Sequence, residues 1–493
     1  MPVGDARGTI LVKSRLVLVG ALCGAALVAS ACGTRLDDRE FRRVNSGVGG
    51  AGEAAAPGAD GESATGEMVG TLPMPCNPGP DDRSAFTDTD QGVTADTVKI
   101  ATIADPGGPK PGLNQGVFDS MEALIGWCND LGGINGREVE LELIDGKILN
   151  YNEAVVQACS SAFAMVGSLG VLDNLGTASQ LACGLPSTPA AAVNPEQTGA
   201  DLTYQSLPNP PWTFKVSPGE WLAQERPEVV DAGAAIYTDL PTTQMQAERQ
   251  VEAYEQIGYD FPVVSPSDLN EQNWGPIVTE MKNKGVTYMT LSASFEEMIP
   301  LAKEMDRQDF HPVVELETNY YNDKFPEQAG GVADGFYIRA QTWPFEEAAD
   351  NAAMAKYLEV METYKPDGVR EYLGLQAFSA GLYFLQAANA AGPDLTRASL
   401  IAELEKIDRW DAGGLQAPTA PSKNQGTSCF IMLKVEDGGY VREYPKPDED
   451  ADVYNNDIAP GYACPDSKQV ELTGDDYRSM GMTVEQAKQQ VGG

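Results

Sequence analysis

Only a few residues in this chain have types that could do covalent or metal chemistry, and their spacing argues against it. His311 is the single histidine among 493 residues. A Ser-His-Asp triad would have to be built on it, yet it directly precedes Pro312 at an expected strand start, and no Gly-x-Ser-x-Gly elbow accompanies it. A turn or packing role is the stronger reading. Zinc sites need clustered His or Cys, and the cysteines of an exported chain are better used in disulfides. Gly107-Gly108-Pro109 is a tight turn without the Gly-Lys-Ser/Thr of a phosphate loop. Asp448 to Asp452 is acidic but lacks the twelve-residue calcium pattern. With 72 acidic residues, pairs of carboxylates carry no information. Catalysis is therefore unsupported, and no metal or cofactor is expected.

The elements that must position a binding site are clearer. Leu131 to Arg137 reads Leu-Gly-Gly-Ile-Asn-Gly-Arg and joins a helix to a strand. Val117, Met121, Leu124, Ile125 and Cys128 before it recur at helical spacing, with Asp119 and Glu122 opposite. Val139, Leu141 and Leu143 after it alternate with Glu138, Glu140 and Glu142. Gly132 suits the left-handed stop of the helix, and Asn135-Gly136 the following turn. Strand-like runs are expected at 97–104, 137–144, 165–169, 187–192, 233–238, 261–265, 286–292, 312–317 and 335–341. Helix-like runs alternate with them, near 114–131, 152–164, 174–182, 243–257, 274–284, 295–308, 346–364, 371–391 and 396–407. Such alternation predicts parallel sheets covered by helices, two sheets rather than one of nine strands. The proline-rich stretch 206–211 is a natural crossing between them.

The strand Val98 to Ala104, the loop Asp105-Pro106-Gly107-Gly108-Pro109, the helix and the glycine join resemble the opening of the type 1 periplasmic binding proteins, the branched-chain amino-acid (leucine-binding-like) branch of ABC-transporter solute receptors. Asn273-Trp274-Gly275-Pro276-Ile277-Val278 and the alanine-rich run Tyr372 to Asn389 continue the likeness. The resemblance implies an α/β fold of two doubly wound parallel-sheet lobes joined by a multi-strand hinge. Lobe one is then 94–213 plus 342–412, and lobe two 214–341 plus 413–470, with a peripheral tail at 471–493. Ligand would lie beyond the carboxyl ends of the strands, enclosed by hinge closure. The loops there nominate Asp105, Gly107, Gly108, Gly170, Val171, Asp173, Ala191 and Ala192 in lobe one. In lobe two they nominate Tyr237, Ser292, Glu317, Asn319 and Tyr320.

Amino-acid receptors of this family hold the ligand carboxylate with lobe-one hydroxyls and amides, and the ammonium partly with an acid. The resemblance places Glu317 near that acid. The hydroxyls are missing, because Leu169 to Asp173 holds no serine and Ala191-Ala192-Val193-Asn194-Pro195 puts valine where threonine is common; valine cannot donate. Each nominee also has a plainer role. Asp105 and Asp173 suit helix caps, Tyr237 suits packing, Glu317 suits a solvated strand face, and Trp212, Trp221 and Trp274 suit core or lobe contacts.

Composition sets the compartment. The formal charge of −38 makes nucleic acid and anionic lipid poor partners. Arg7, Lys13 and Arg15 precede an apolar run, Leu16 to Val28, too short to span a bilayer but suited to a signal peptide over 1–31. Ala29-Ser30-Ala31-Cys32 resembles a bacterial lipobox, so lipid on Cys32 would hold the chain at the outer face of the membrane. Simple cleavage after Ala31 is the alternative, and Cys23, after bulky Leu22, is a weaker acceptor. The Gly- and Ala-rich stretch that follows reads as a flexible tether over 32–93. Six cysteines remain, consistent with three disulfides among 15 connectivities. Neighbours in the implied fold would pair Cys159 with Cys183, Cys429 with Cys464, and Cys76 with Cys128. The expected partners are a small polar solute, an amino acid or related amide, and an ABC permease. A sensory ectodomain reporting to a signalling partner is the rival reading.

Overall fold

A computed structural model describes residues 65–465, 469–474 and 481–492. The expected signal segment, Cys32 and the first part of the tether lie outside these. The strands, in chain order, are β1 (Met68–Val69), β2 (Leu72–Pro73), β3 (Thr97–Ala104), β4 (Glu138–Asp145), β5 (Ala164–Val166), β6 (Ser187–Thr188) and β7 (Thr213–Lys215). They continue as β8 (Gly233–Thr238), β9 (Val263–Ser267), β10 (Tyr288–Ser292), β11 (Val313–Leu316), β12 (Tyr337–Ala340), β13 (Ile431–Glu436), β14 (Gly439–Tyr444) and β15 (Gln469–Glu471).

Two main sheets result. The first runs β4-β3-β5-β6, all parallel. The second runs β9-β8-β10-β11-β12 in parallel, and then adds β13 and β14 antiparallel at its far edge. In both, the second strand in the chain lies outside the first and the later ones lie on its other side, so each has a switch point beside its leading strand, β3 or β8. Burial follows position. Central β3 is buried along most of its length, as a strand covered on both faces must be, whereas edge strand β4 leaves Glu138 and Glu140 exposed. The helix–strand join has the expected backbone: Gly132 and Gly133 take φ of 104° and 75°, and Asn135 and Gly136 take 53° and 82°.

Helix Tyr372–Ala390 is buried on nearly every side and packs on helix Gln115–Asp130 beside the first sheet. Two glycines permit that approach. A Cβ at Gly374 would lie 2.6 Å from the Gly116 carbonyl oxygen, and one at Gly381 2.3 Å from Leu124. Between the sheets three chain segments run side by side. Trp343 N–H donates to Leu415 O (2.9 Å) and Ala417 N–H to Gln341 O (2.8 Å), while the Gln416 amide and Thr419 hydroxyl both donate to Ser206 O.

Two expectations need correction. The tether does not extend to residue 93: β1 and β2 form a hairpin whose Val69, with Met74 and Cys76 after it, is buried, and Thr71 N–H donates to Gly413 O (3.0 Å). Arg83 and Arg137 both stack on Phe86 there. Enough apolar side chains occur at 69–76 to anchor it, against the Gly/Ala composition further upstream. Nor is the end of the chain peripheral. β15 pairs with β7 and Leu472 is buried, whereas helix Val484–Gly492 packs through Ala487 onto helix Asn174–Ala182 beside the first sheet. The disulfides are Cys76–Cys128, Cys159–Cys183 and Cys429–Cys464, the three pairs of fold neighbours.

Candidate functional site

The loops beyond the carboxyl ends of the two sheets face each other across a cleft of about 290 Å³. On the first-sheet side its wall is mostly apolar: Leu113, Ile148, Leu169, Val171, Ala191, Ala192 and Val193 line it. Two buried acids hold that wall in place without reaching the cleft. Asp105, at the end of β3, accepts from Ile148 N–H and Val171 N–H, both at 2.8 Å, and so ties three loops together. Burial pushes its carboxyl above the usual range. Asp173 accepts from Val193 N–H (2.7 Å), Asn194 N–H (3.1 Å) and the Asn194 amide (2.6 Å). Burial raises its carboxyl to about 7, against those three donors, which favour the charged form. Nucleating loop geometry occupies both acids.

The expected glycines also act on the backbone rather than on ligand. A Cβ at Gly107 would lie 2.1 Å from the Asp145 carboxylate, and one at Gly170 2.1 Å from the Tyr151 ring. Gly108, with φ of 77°, turns against Lys147. Of the lobe-one nominees, then, Val171, Ala191 and Ala192 line the cleft, whereas Asp105, Asp173 and the three glycines do not.

The second-sheet side is charged. Arg339, on β12, donates to buried Glu315 at 2.8 Å, to Glu317, and to Gln250 at 3.2 Å. Tyr254 and Tyr288 hydroxyls donate to the same Glu315 at 2.8 Å, so this carboxylate, fully buried on β11, is satisfied on every side. Lys215, at the end of β7, reaches the cleft and donates to the Gln341 side-chain oxygen. Burial lowers its ammonium to about 7; Arg339 and Arg249 push the same way and Glu317 opposes them. Ser292, ending β10, lines the cleft with a buried hydroxyl that has no hydrogen-bond partner among the described residues. Asn319 donates to Ala293 O at 2.9 Å while facing the cleft.

Tyr237 and Tyr320 turn away. Tyr237 packs in the core of the second sheet, and fully buried Tyr320 donates to Leu291 O at 3.0 Å. Of the tryptophans, Trp221 stacks on Tyr444 in that core, Trp274 is buried and Trp212 is exposed.

Both rims of the cleft are bridged. Lys110, one residue past the loop that sequence nominated, pairs with Glu297 at 3.0 Å and donates to Ser294 at 3.3 Å across the gap. On the other rim, the Thr242 hydroxyl donates to Val171 O (2.7 Å) and Asn194 Oδ1 (2.9 Å), and the Gln246 amide to Val193 O (3.3 Å). Sequence reasoning missed Lys110, Lys215, Arg339 and Thr242. Arg339 had a signal: it is the one charge in the apolar strand Tyr-Ile-Arg-Ala. Lys215 had none, because β7 is three residues long and its partner β15 lies far along the chain.

Two doubly wound sheets whose facing loops enclose a lined cleft, with hinge segments side by side, define a two-lobed ligand receptor. The chain belongs to the periplasmic binding protein family, whose model matches residues 97–440. Members bind ligands outside the cytoplasm rather than turn them over. The fold is similar to that of a leucine-binding protein, LivK, from Thermotoga maritima (16% identity over 70% of this chain and 98% of that one, TM-score 0.61). It is similar to a fatty acid ABC transporter substrate-binding protein from Thermomonospora curvata (18%, 77% and 97%, TM-score 0.62). A third is the branched-chain amino acid transporter substrate binding protein LivJ from Streptococcus pneumoniae, solved with isoleucine (14%, 70% and 99%, TM-score 0.58). No curated protein matches this chain in sequence. No helix among the described residues is long and apolar enough to cross a membrane.

Proposed function

We propose that this protein is a solute receptor held at the outer face of the cell membrane by lipid on Cys32, and that it delivers a captured small molecule to an ABC importer. The observation that carries the reading is the cleft itself, with Lys110–Glu297 on one rim and Thr242–Val171 on the other. A ligand that touches both walls binds the closed form better than the open one, and only that difference can drive closure. A permease that recognises the closed pair of lobes would then distinguish loaded from empty receptor. Leucine, isoleucine and fatty acids, named for the structural neighbours, share a carboxylate and an aliphatic part. An amino acid or related amide, the expectation from the family resemblance, is the first group to try.

The test is a thermal-shift screen of the intact chain, unfolded and refolded to strip carried ligand. The panel holds amino acids, small amides, polyamines, sugars and organic acids. A ligand at about 100 times its Kd adds about 2.7 kcal/mol of stability. One clear hit, followed by loss of uptake of that solute in cells lacking the protein, supports the reading. A hit with uptake unchanged favours the sensory rival, and no shift with any compound overturns the amino-acid or amide assignment and moves that rival up. Mass spectrometry of the mature N-terminus tests the anchor: diacylglycerol on Cys32 is expected, and an unmodified N-terminus produced by cleavage after Ala31 overturns it.

A further inference from the structure

The two walls of the cleft differ in the hydrogen bonding they have left for a ligand. On the first-sheet side the backbone is already engaged. Of the seven apolar residues named above, six donate their N–H groups within the protein: Leu113 to Lys110 O, Leu169 to Ile103 O, Ile148 and Val171 to Asp105, Ala192 to Gln205, and Val193 to Asp173. The carbonyls of Val171 and Val193 accept from Thr242 and Gln246 of the opposite rim. Lys110 is held by Glu297 and Ser294. Asn114 is the exception, a buried residue at the start of helix Gln115–Asp130 whose side chain does not cap it.

The second-sheet side is laid out the other way. β10, β11 and β12 are adjacent and parallel, with Met289 beside Val314 and Leu316 beside Ile338. Carrying those registers to the strand ends sets Ser292, Glu317 and Arg339 in one row, about 4.8 Å from strand to strand. All three line the cleft. The Ser292 hydroxyl is buried and has no partner among the described residues. Glu317 gives one carboxylate oxygen to Arg339; the other accepts no hydrogen bond among the described residues, and the side chain is still 27% exposed. Lys215 stands close enough to feel the charges of both. It donates to the neutral Gln341 oxygen, one bond for an ammonium that carries three donors.

We propose that the cleft holds its ligand with the polar head on the second-sheet wall, bonded by Ser292, Glu317 and Lys215, and the hydrocarbon tail on the first-sheet wall, against Val171 and Ala191. This rests on the receptor reading above and deepens it. The class is a small amphiphile whose compact head carries an acceptor for Lys215 and Ser292 and a donor for Glu317. An α-amino acid or a primary amide with a short aliphatic or aryl tail fits. The orientation reverses the one that the family resemblance implies, in which first-lobe hydroxyls and amides hold the carboxylate. Here those hydroxyls are absent and those amides are engaged. A cleft of about 290 Å³ is at the small end of ligand sites, roughly 300 to 1,000 Å³, and keeps the tail short.

Two series that vary only in tail test the orientation: alanine, leucine and phenylalanine, and propanamide, 4-methylpentanamide and 3-phenylpropanamide. Titration calorimetry on the intact refolded chain is expected to show at least one series binding. Head contacts should act on every member of that series alike. Ser292→Ala is expected to weaken all of them by about threefold or more, and Lys215→Met by about tenfold or more. Ala191→Leu adds bulk to the first wall, so it is expected to spare the shortest tail and weaken the longest by about tenfold.

The opposite pattern overturns the proposal: Ala191→Leu weakening every tail equally, or Ser292→Ala and Lys215→Met both leaving affinity unchanged. Asn114→Ala costing more than either head variant also overturns it, because the head would then lie on the first wall. Should Lys215→Met fail to fold, Ser292→Ala, which removes an unbonded hydroxyl, decides in its place. If neither series binds, the proposal falls, and a hit elsewhere in the wider screen then leaves the receptor reading standing.

Discussion

The two walls of the cleft are built from the same kind of element, a loop beyond a parallel strand, yet they use their acids in opposite ways. In the first lobe Asp105 and Asp173 are turned inward and spend their oxygens on backbone N–H groups of neighbouring loops, leaving an apolar lining of Val171, Ala191 and Ala192. In the second, Glu315 and Glu317 are matched to Arg339, and charge reaches the lining through Lys215. The lesson is that a buried carboxylate beside a cleft need not be a ligand contact. It can as well be the fixed point from which a loop hangs, and its partners tell the two apart.

That contrast can be broken from either side, and the second lobe should break hardest. Arg339→Met strands fully buried Glu315 with only tyrosine hydroxyls, and a loss of about 3–5 kcal/mol is expected in urea unfolding. Asp105→Ala leaves two buried N–H groups unpaired in the first lobe, which should cost about 2–4 kcal/mol in the same measurement and also weaken ligand by loosening the loops. If Asp105 were a ligand contact instead, affinity would fall with stability unchanged. Lys110→Met removes a cross-rim pair whose side chains are 12% and 4% exposed. It should act on closure, lowering affinity by about 1–2 kcal/mol in calorimetry while moving the unfolding midpoint little. Thr242→Val, close to isosteric, deletes the opposite rim's donor and should lower affinity by about 1 kcal/mol.

Much of this was legible in the sequence, and for a physical reason. Alternating strands and helices force ligand loops to strand ends, so Val171, Ala191, Ala192, Ser292, Glu317 and Asn319 could be named and do line the cleft. The same rule cannot say which way a side chain points once it arrives. Asp105, Asp173, Tyr237 and Tyr320 occupy the right loops and face the wrong direction, because a buried backbone amide or a packed core claims them first. Lys215 was invisible for another reason: a three-residue strand has no readable period, and its partner Gln469 is supplied from near the end of the chain.

That late partner has a further result. Thr473 is bonded to Glu252 beside the second sheet, and Met482 to Asp201 beside the first. The last described stretches of the chain therefore touch both halves of the molecule, β15 through β7 and helix Val484–Gly492 through Ala487 on helix Asn174–Ala182.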